Sequence, residues 1–230
     1  MFQQPDSVRF QLPPWLNTLA RSYEPSTDIE QRMALVIAAS RRSVEMQTGG
    51  PFGAGIFDSD SGELIALGAN LVTSEGLSML HAEMVAISLA QRKFGSYYLS
   101  GQELSGQELS RQELSGQELS GQGLEGQESS QQKLPRLELV TSTEPCTMCL
   151  GGILWSGLRR VIAAAADGDA RKIGFDEGPK PDDWIRSLNE RGIEVIAGIG
   201  REQARAVLEL YEQTQGHIYI GRKLNGPGPG

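Results

Sequence analysis

The chain has 230 residues, 39% of them hydrophobic and 22% charged, and a formal net charge of −8. An acidic balance lacks the electrostatic footprint of a nucleic-acid binder, and no stretch approaches the roughly 18 apolar residues that span a bilayer. The opening MFQQPDSVRF holds no apolar run of signal-peptide length, so a cytoplasmic protein is expected.

Residues 1–27 read as an N-terminal extension. Thr27-Asp28-Ile29-Glu30 fits a capping box, and Ile29, Met33, Val36, Ile37, Ser40 and Val44 follow at helical spacing, predicting a first helix over about 28–46. Two apolar runs, 53–58 and 64–72, flank Asp58-Ser59-Asp60-Ser61-Gly62, the composition of a hairpin turn. A second helix is predicted from His81 to Lys93, burying Ala82, Val85, Ala86 and Leu89.

Then comes SGQELSGQELSRQELSGQEL, from Ser100 to Leu119, a five-residue unit repeated four times with one substitution. Its leucines turn through roughly 140° per step on a helix and alternate faces on a strand, so neither element gains an apolar face. Burial cannot repay the ordering of such a Gly-, Ser-, Gln- and Glu-rich stretch. Residues 101–132 are therefore expected to be a disordered insertion in a surface loop, where extra length costs little. They carry −5 of the net charge.

Beyond the insertion, LELVTST (137–143) predicts a buried strand and RVIAAAA (160–166) another; PCTMCLGGILWSG between them predicts a helix opening at Pro145 and stopping at Gly157. DDWIRSLNERG and REQARAVLELYEQT read as helices on either side of a strand in IEVIAGI. The order α-β-β-α-β-α-β-α-β-α predicts an α/β fold, a mixed central sheet covered by helices on both faces. NGPGPG (225–230) belongs to a tail, 223–230, expected to be disordered.

The cysteines are Cys146 and Cys149, the histidines His81 and His217. In a reducing compartment a Cys-x-x-Cys pair is redox-active or metal-binding more often than a structural disulfide. Three residues apart at a helix N-terminus, the two sulfurs share a face and the dipole favours thiolates. With neutral His81, 65 residues earlier, they form three zinc ligands with an open fourth position, the composition of a catalytic site that holds water and lowers its pKa toward about 7. His217 as a fourth ligand would close the site and make it structural. Glu83, beside that position, is the candidate proton shuttle. Positions 81 and 83 lie about 200° apart on a helix, so both must sit at its mouth. His-x-Glu followed by Pro-Cys-x-x-Cys is the zinc-deaminase signature.

Through GGPFGAGIF (49–57), GANLV (68–72), HAE (81–83), ELVTSTEPCTMCLGGILWSG (138–157) and IGFDEGP (173–179), the chain resembles the cytidine/deoxycytidylate deaminase superfamily and, within it, the bacterial guanine deaminase branch. The resemblance runs from about residue 28 to 222 outside the insertion. It implies a three-layer α/β/α cytidine-deaminase-like fold, one Zn2+ per subunit, and a homodimer whose C-terminal segment helps close the site. Asn70 is then implied to hydrogen-bond the purine edge and Glu177 to move protons to the departing amine. Phe52 and Trp155 are implied walls for the base, with backbone contacts from Ala82.

The function expected is hydrolytic deamination of guanine at C2, giving xanthine and ammonia, with a nucleobase as the only partner besides a second copy. Rival readings are a deaminase of cytosine or an aminotriazine, a tRNA adenosine deaminase, which the acidic balance disfavours, and a non-catalytic zinc-stabilised interaction protein that recruits a partner through the repeat.

Overall fold

The computed structural model describes residues 4–100 and 136–219. The predicted disordered insertion at 101–132 and tail at 223–230 lie outside these residues. The elements are α1 (Pro14–Arg21), α2 (Ile29–Glu45), β1 (Gly53–Asp58), β2 (Leu64–Ala69), α3 (Val72–Glu75), α4 (Ala82–Phe94), β3 (Leu137–Thr143), α5 (Thr147–Ser156), β4 (Arg160–Ala165), α6 (Asp167–Lys172), α7 (Trp184–Asn189), β5 (Glu194–Ala197) and α8 (Arg201–Gln213).

The five strands form one mixed sheet in the order β2-β1-β3-β4-β5. The hairpin β1–β2 and the pair β1–β3 are antiparallel, whereas β3–β4 and β4–β5 are parallel. Every residue of β3 is buried, as expected of a central strand with both faces covered. On one face, α1, α2 and α8 contribute Leu16, Met33, Val36, Val207 and Leu208 to a core with Phe57, Val140 and Ile162. On the other, Ala82, Ala86 and Ala90 of α4, Ile153 of α5 and Trp184 and Leu188 of α7 pack on Ile56, Leu139 and Val161. This is the expected three-layer α/β/α arrangement. Each fully buried Val, Leu or Ile side chain contributes roughly 1.5–3 kcal/mol to it.

Two glycines let helices approach the sheet closely. A Cβ on Gly68 would stand 2.3 Å from the Ala82 carbonyl oxygen, and one on Gly53 2.4 Å from that of Val36. The first approach presses the N-terminus of α4 against the end of β2, and so sets the His81 end of α4 beside Asn70.

Local detail departs from the sequence reading: the second apolar run ends as a strand at Ala69 and gives way to α3, α6 was not predicted, and the start of α2 and residues 1–27 differ as follows. The cap of α2 is Asp28, whose carboxylate accepts from the Glu30 N–H at 2.9 Å, while Thr27 turns its carbonyl to Arg32 at 3.2 Å. Arg32, 1% exposed, reaches through α2 to the fully buried Glu138 of β3 at 3.2 Å, and Arg160 holds the other carboxylate oxygen at 3.2 Å. That triad, not a capping box, ties the start of α2 to the central strand. Within residues 1–27, α1 packs Leu16 into the α2 face of the core, and the Trp15 indole donates to Thr48 at 3.2 Å.

Candidate metal and base-binding site

The candidate residues meet at one end of the sheet, where β2 and β3 finish and α4 and α5 begin. His81 is the N-cap of α4, in extended backbone, and Cys146 is the N-cap of α5. Both therefore lie just outside their helices. That solves the angular problem of His81 and Glu83: the histidine does not obey helical geometry, and Glu83 projects from the first turn. Cys149 follows within α5, on its buried face.

The His81 Nδ1 atom is 3.4 Å from Cys146 Sγ and 3.7 Å from Cys149 Sγ, and the three donor atoms all lie within 4.8 Å of one another. One imidazole and two thiols so close, with no acid and no second histidine among them, suit a zinc-sized, borderline-soft ion. His217 is not in the group. It is exposed, and its carbonyl accepts from the Tyr211 hydroxyl at 2.7 Å.

The electrostatics divide the groups. The Cys146 thiol is pulled down to about 4, chiefly by its hydrogen bond with Cys149 and then by His81, against the effect of burial. Cys149 moves upward because that same bond and its burial favour the thiol. His81 rises: burial opposes its charge, but Cys146, Glu83 and Glu177 outweigh burial. Glu83, 6% exposed, is raised mainly by burial. Glu177, 7% exposed, is pushed up to about 8 by burial and then by Cys146 and Glu83. Two buried carboxyls, both shifted upward, thus flank the donor cluster, and perturbed acids in a cavity mark a candidate site for proton transfer.

Asn70, fully buried after β2, is fixed in one orientation. Its Oδ1 accepts from the N–H groups of Gly50 at 3.4 Å and Val72 at 3.2 Å, so Nδ2 faces the cavity as a donor. There it meets the Tyr219 hydroxyl at 2.6 Å. Phe52, Asn70, His81, Glu83, Thr143, Glu144, Cys146, Phe175, Asp176, Glu177 and Tyr219 line a cavity of about 20 Å³, room for about one water. Phe52 meets Phe175 edge-on at 4.8 Å, and Tyr219 meets Phe175 at 5.8 Å.

The structure thus brings together His81, Cys146, Cys149, Glu83, Glu177, Asn70 and Phe52. Ala82 is buried beneath Gly68 and does not line the cavity. Trp155 corrects the sequence reading: it is 85% exposed on the outer face of α5, because Cys149, Leu150, Ile153 and Ser156 take the inner one. Two lining residues, Phe175 and Tyr219, carry no role in the sequence reading. Phe175 stands inside the quoted IGFDEGP, whereas Tyr219 lies 149 positions from the asparagine it touches and has no local signal.

Residues 26–165 match the profile of the cytidine and deoxycytidylate deaminase zinc-binding region. A guanine deaminase of Bacillus subtilis is 33% identical over 129 residues, 56% of this chain and 59% of that protein, so the match spans about three-fifths of the relative's length. Among solved structures, NE0047 in complex with 2,6-diaminopurine superposes with a TM-score of 0.75 at 37% identity, covering 94% of this chain and 98% of the other. A structure of guanine deaminase from Nitrosomonas europaea gives 0.74 at 36% identity, covering 92% and 100%.

Proposed function

Because the chain belongs to the cytidine and deoxycytidylate deaminase zinc-binding family, we propose that it is a zinc-dependent aminohydrolase converting guanine to xanthine and ammonia. The observation that carries this is the pairing of a His-Cys-Cys donor cluster with two buried, upward-shifted acids and an orientation-locked amide around one cavity. The relatives named for guanine deamination support the choice of base.

His81, Cys146 and Cys149 would hold zinc, which when bound supplies an activated water at neutral pH. Glu83, at the mouth of α4, would as a carboxylate accept a proton on the metal side of the cavity and deliver it to the ring. Glu177, whose carboxyl burial pushes up to about 8 in the metal-free chain, is placed to serve the departing amine. Asn70 offers only Nδ2, so the base edge facing it must be an acceptor. In the described structure the Tyr219 hydroxyl takes that place. A bicyclic base does not fit about 20 Å³, and on this reading it would compete with the Tyr219 hydroxyl for Asn70 Nδ2.

A homodimer with one zinc per subunit is part of the same reading. Met148 and Trp155, 37% and 85% exposed, flank Gly151 on the outer face of α5, an uncharged strip suited to a second copy. We take residues 28–222 as the deaminase domain and cytoplasmic purine catabolism as its setting. Among the described residues no helix is long and apolar enough to cross a membrane.

Ammonia release from guanine, cytosine, adenine and ammeline, with and without a zinc chelator, tests the proposal. Guanine turnover abolished by chelation is expected; turnover of another base alone, or activity indifferent to chelation, overturns it.

A further inference from the structure

Glu177 stands on a loop without regular structure, so something must hold its carboxyl in place. The nearest tie comes from inside the Cys-x-x-Cys segment. The Glu177 carbonyl accepts from the Thr147 N–H at 3.1 Å and from the Thr147 hydroxyl at 3.2 Å. Thr147 opens α5, and its N–H is one of the donors a helix leaves without an internal acceptor. Glu177 supplies that acceptor. Any residue but proline would bring the N–H; the hydroxyl is what threonine adds.

The next residue, Gly178, has a positive φ of 72°, and a Cβ on it would stand 2.9 Å from Thr147 Oγ1. The hydroxyl therefore packs flush against the loop. From the other side, the Gly178 carbonyl accepts from Arg171 at 2.9 Å, and its N–H is held by Asp176 at 2.9 Å. Arg171 anchors the loop to α6, whereas among the described residues the hydrogen bonds between this loop and the helix that carries the two cysteines are those of Thr147.

We propose that Thr147 is a positioning residue for Glu177, its hydroxyl keeping the proton donor in register with Cys146 and Cys149. This rests on the reading of Glu177 as the acid of the deamination. A loop bond of this kind acts through placement, and a displacement of about 1 Å can cost on the order of 100-fold in rate.

The test uses the zinc-loaded full chain with Thr147→Val, Thr147→Ser, Glu177→Gln and the double variant Thr147→Val/Glu177→Gln. The threonine is exposed, so valine leaves the core intact. Thr147→Val should lower kcat about tenfold, with KM within about twofold and full zinc content, and serine should restore the rate. In the Glu177→Gln background the valine should change kcat by less than about twofold, because its effect runs through Glu177. Hydrogen exchange across residues 174–180 should rise in Thr147→Val and not in Thr147→Ser. A wild-type kcat in Thr147→Val, a tenfold loss repeated without Glu177, or zinc lost in step with activity overturns the proposal. If the unsubstituted chain deaminates no base, the reading of Glu177 fails; unchanged exchange in Thr147→Val then refutes the tie itself.

Discussion

Replacing Asn70 with alanine separates two jobs that one side chain performs. Its Oδ1 satisfies the N–H groups of Gly50 and Val72 at 3.4 and 3.2 Å in a fully buried position. A buried donor left without a partner costs about 1–3 kcal/mol, and the longer of these bonds belongs at the low end, so Asn70→Ala should destabilise the fold by about 2–3 kcal/mol. At this chain length that is a fall in Tm of about 5–10 °C. The second job, on the function proposed above, is the Nδ2 donor. Removing a donor aimed at the reacting base lowers kcat/KM by about 100-fold or more. Calorimetry and guanine kinetics on the same preparation read both effects. A Tm within about 2 °C of wild type would refute the backbone-anchoring argument, and a kcat/KM within about threefold would refute the assignment of Nδ2 to the base.

Glu83→Gln should retain zinc, measured by metal analysis, yet lose about 100- to 10,000-fold in kcat, since the amide cannot carry a proton; near wild-type ammonia release would remove Glu83 from the chemistry. Arg32→Ala should destabilise the fold by about 3 kcal/mol in urea melts, because Glu138 is left in the core with only Arg160; a loss under about 1 kcal/mol would mean that the triad contributes nothing. In chelator-treated protein, the folded Glu177 holds its proton up to about 8 while the unfolded carboxyl releases it near 4.5. Its contribution is complete at low pH and is lost as pH rises through that window, so Glu177→Gln should gain stability relative to wild type between these limits. Superimposable differences at both ends would contradict the raised pKa. Deleting residues 101–132 should leave guanine turnover within about twofold of wild type. Both flanks lie at the far end of the sheet from the cavity: Leu99 bonds the last residue of α5, and Arg136 bonds Ser59 in the β1–β2 turn.

The strands and long helices were legible because their apolar residues recur at the period of the element they form. Of the short helices, α7 was legible in DDWIRSLNERG, whereas α1, α3 and α6 were not. Six residues in α6 and eight in α1 give too few turns for a period to show, and α1 is held by Leu16 and Trp15 meeting partners elsewhere in the chain. Trp155 shows the converse error. Its place in a quoted motif suggested the base pocket, but the face a helical side chain takes depends on which neighbours are buried, and here Cys149 and Ile153 claim the inner side.

What the sequence alone determined is the donor chemistry: His81-x-Glu83 and Cys146-x-x-Cys149 are short-range patterns whose residue types and helix-end positions already specify a three-ligand metal site with an acid beside it. Tertiary structure decided everything that depends on distant segments closing on one another. The amide orientation of Asn70 follows from Gly50 and Val72, the raised pKa of Glu177 from burial beside Cys146 and Glu83, and the closure of the cavity from Tyr219. Desolvation and hydrogen-bond direction are properties of a packed environment, and no local spacing encodes them.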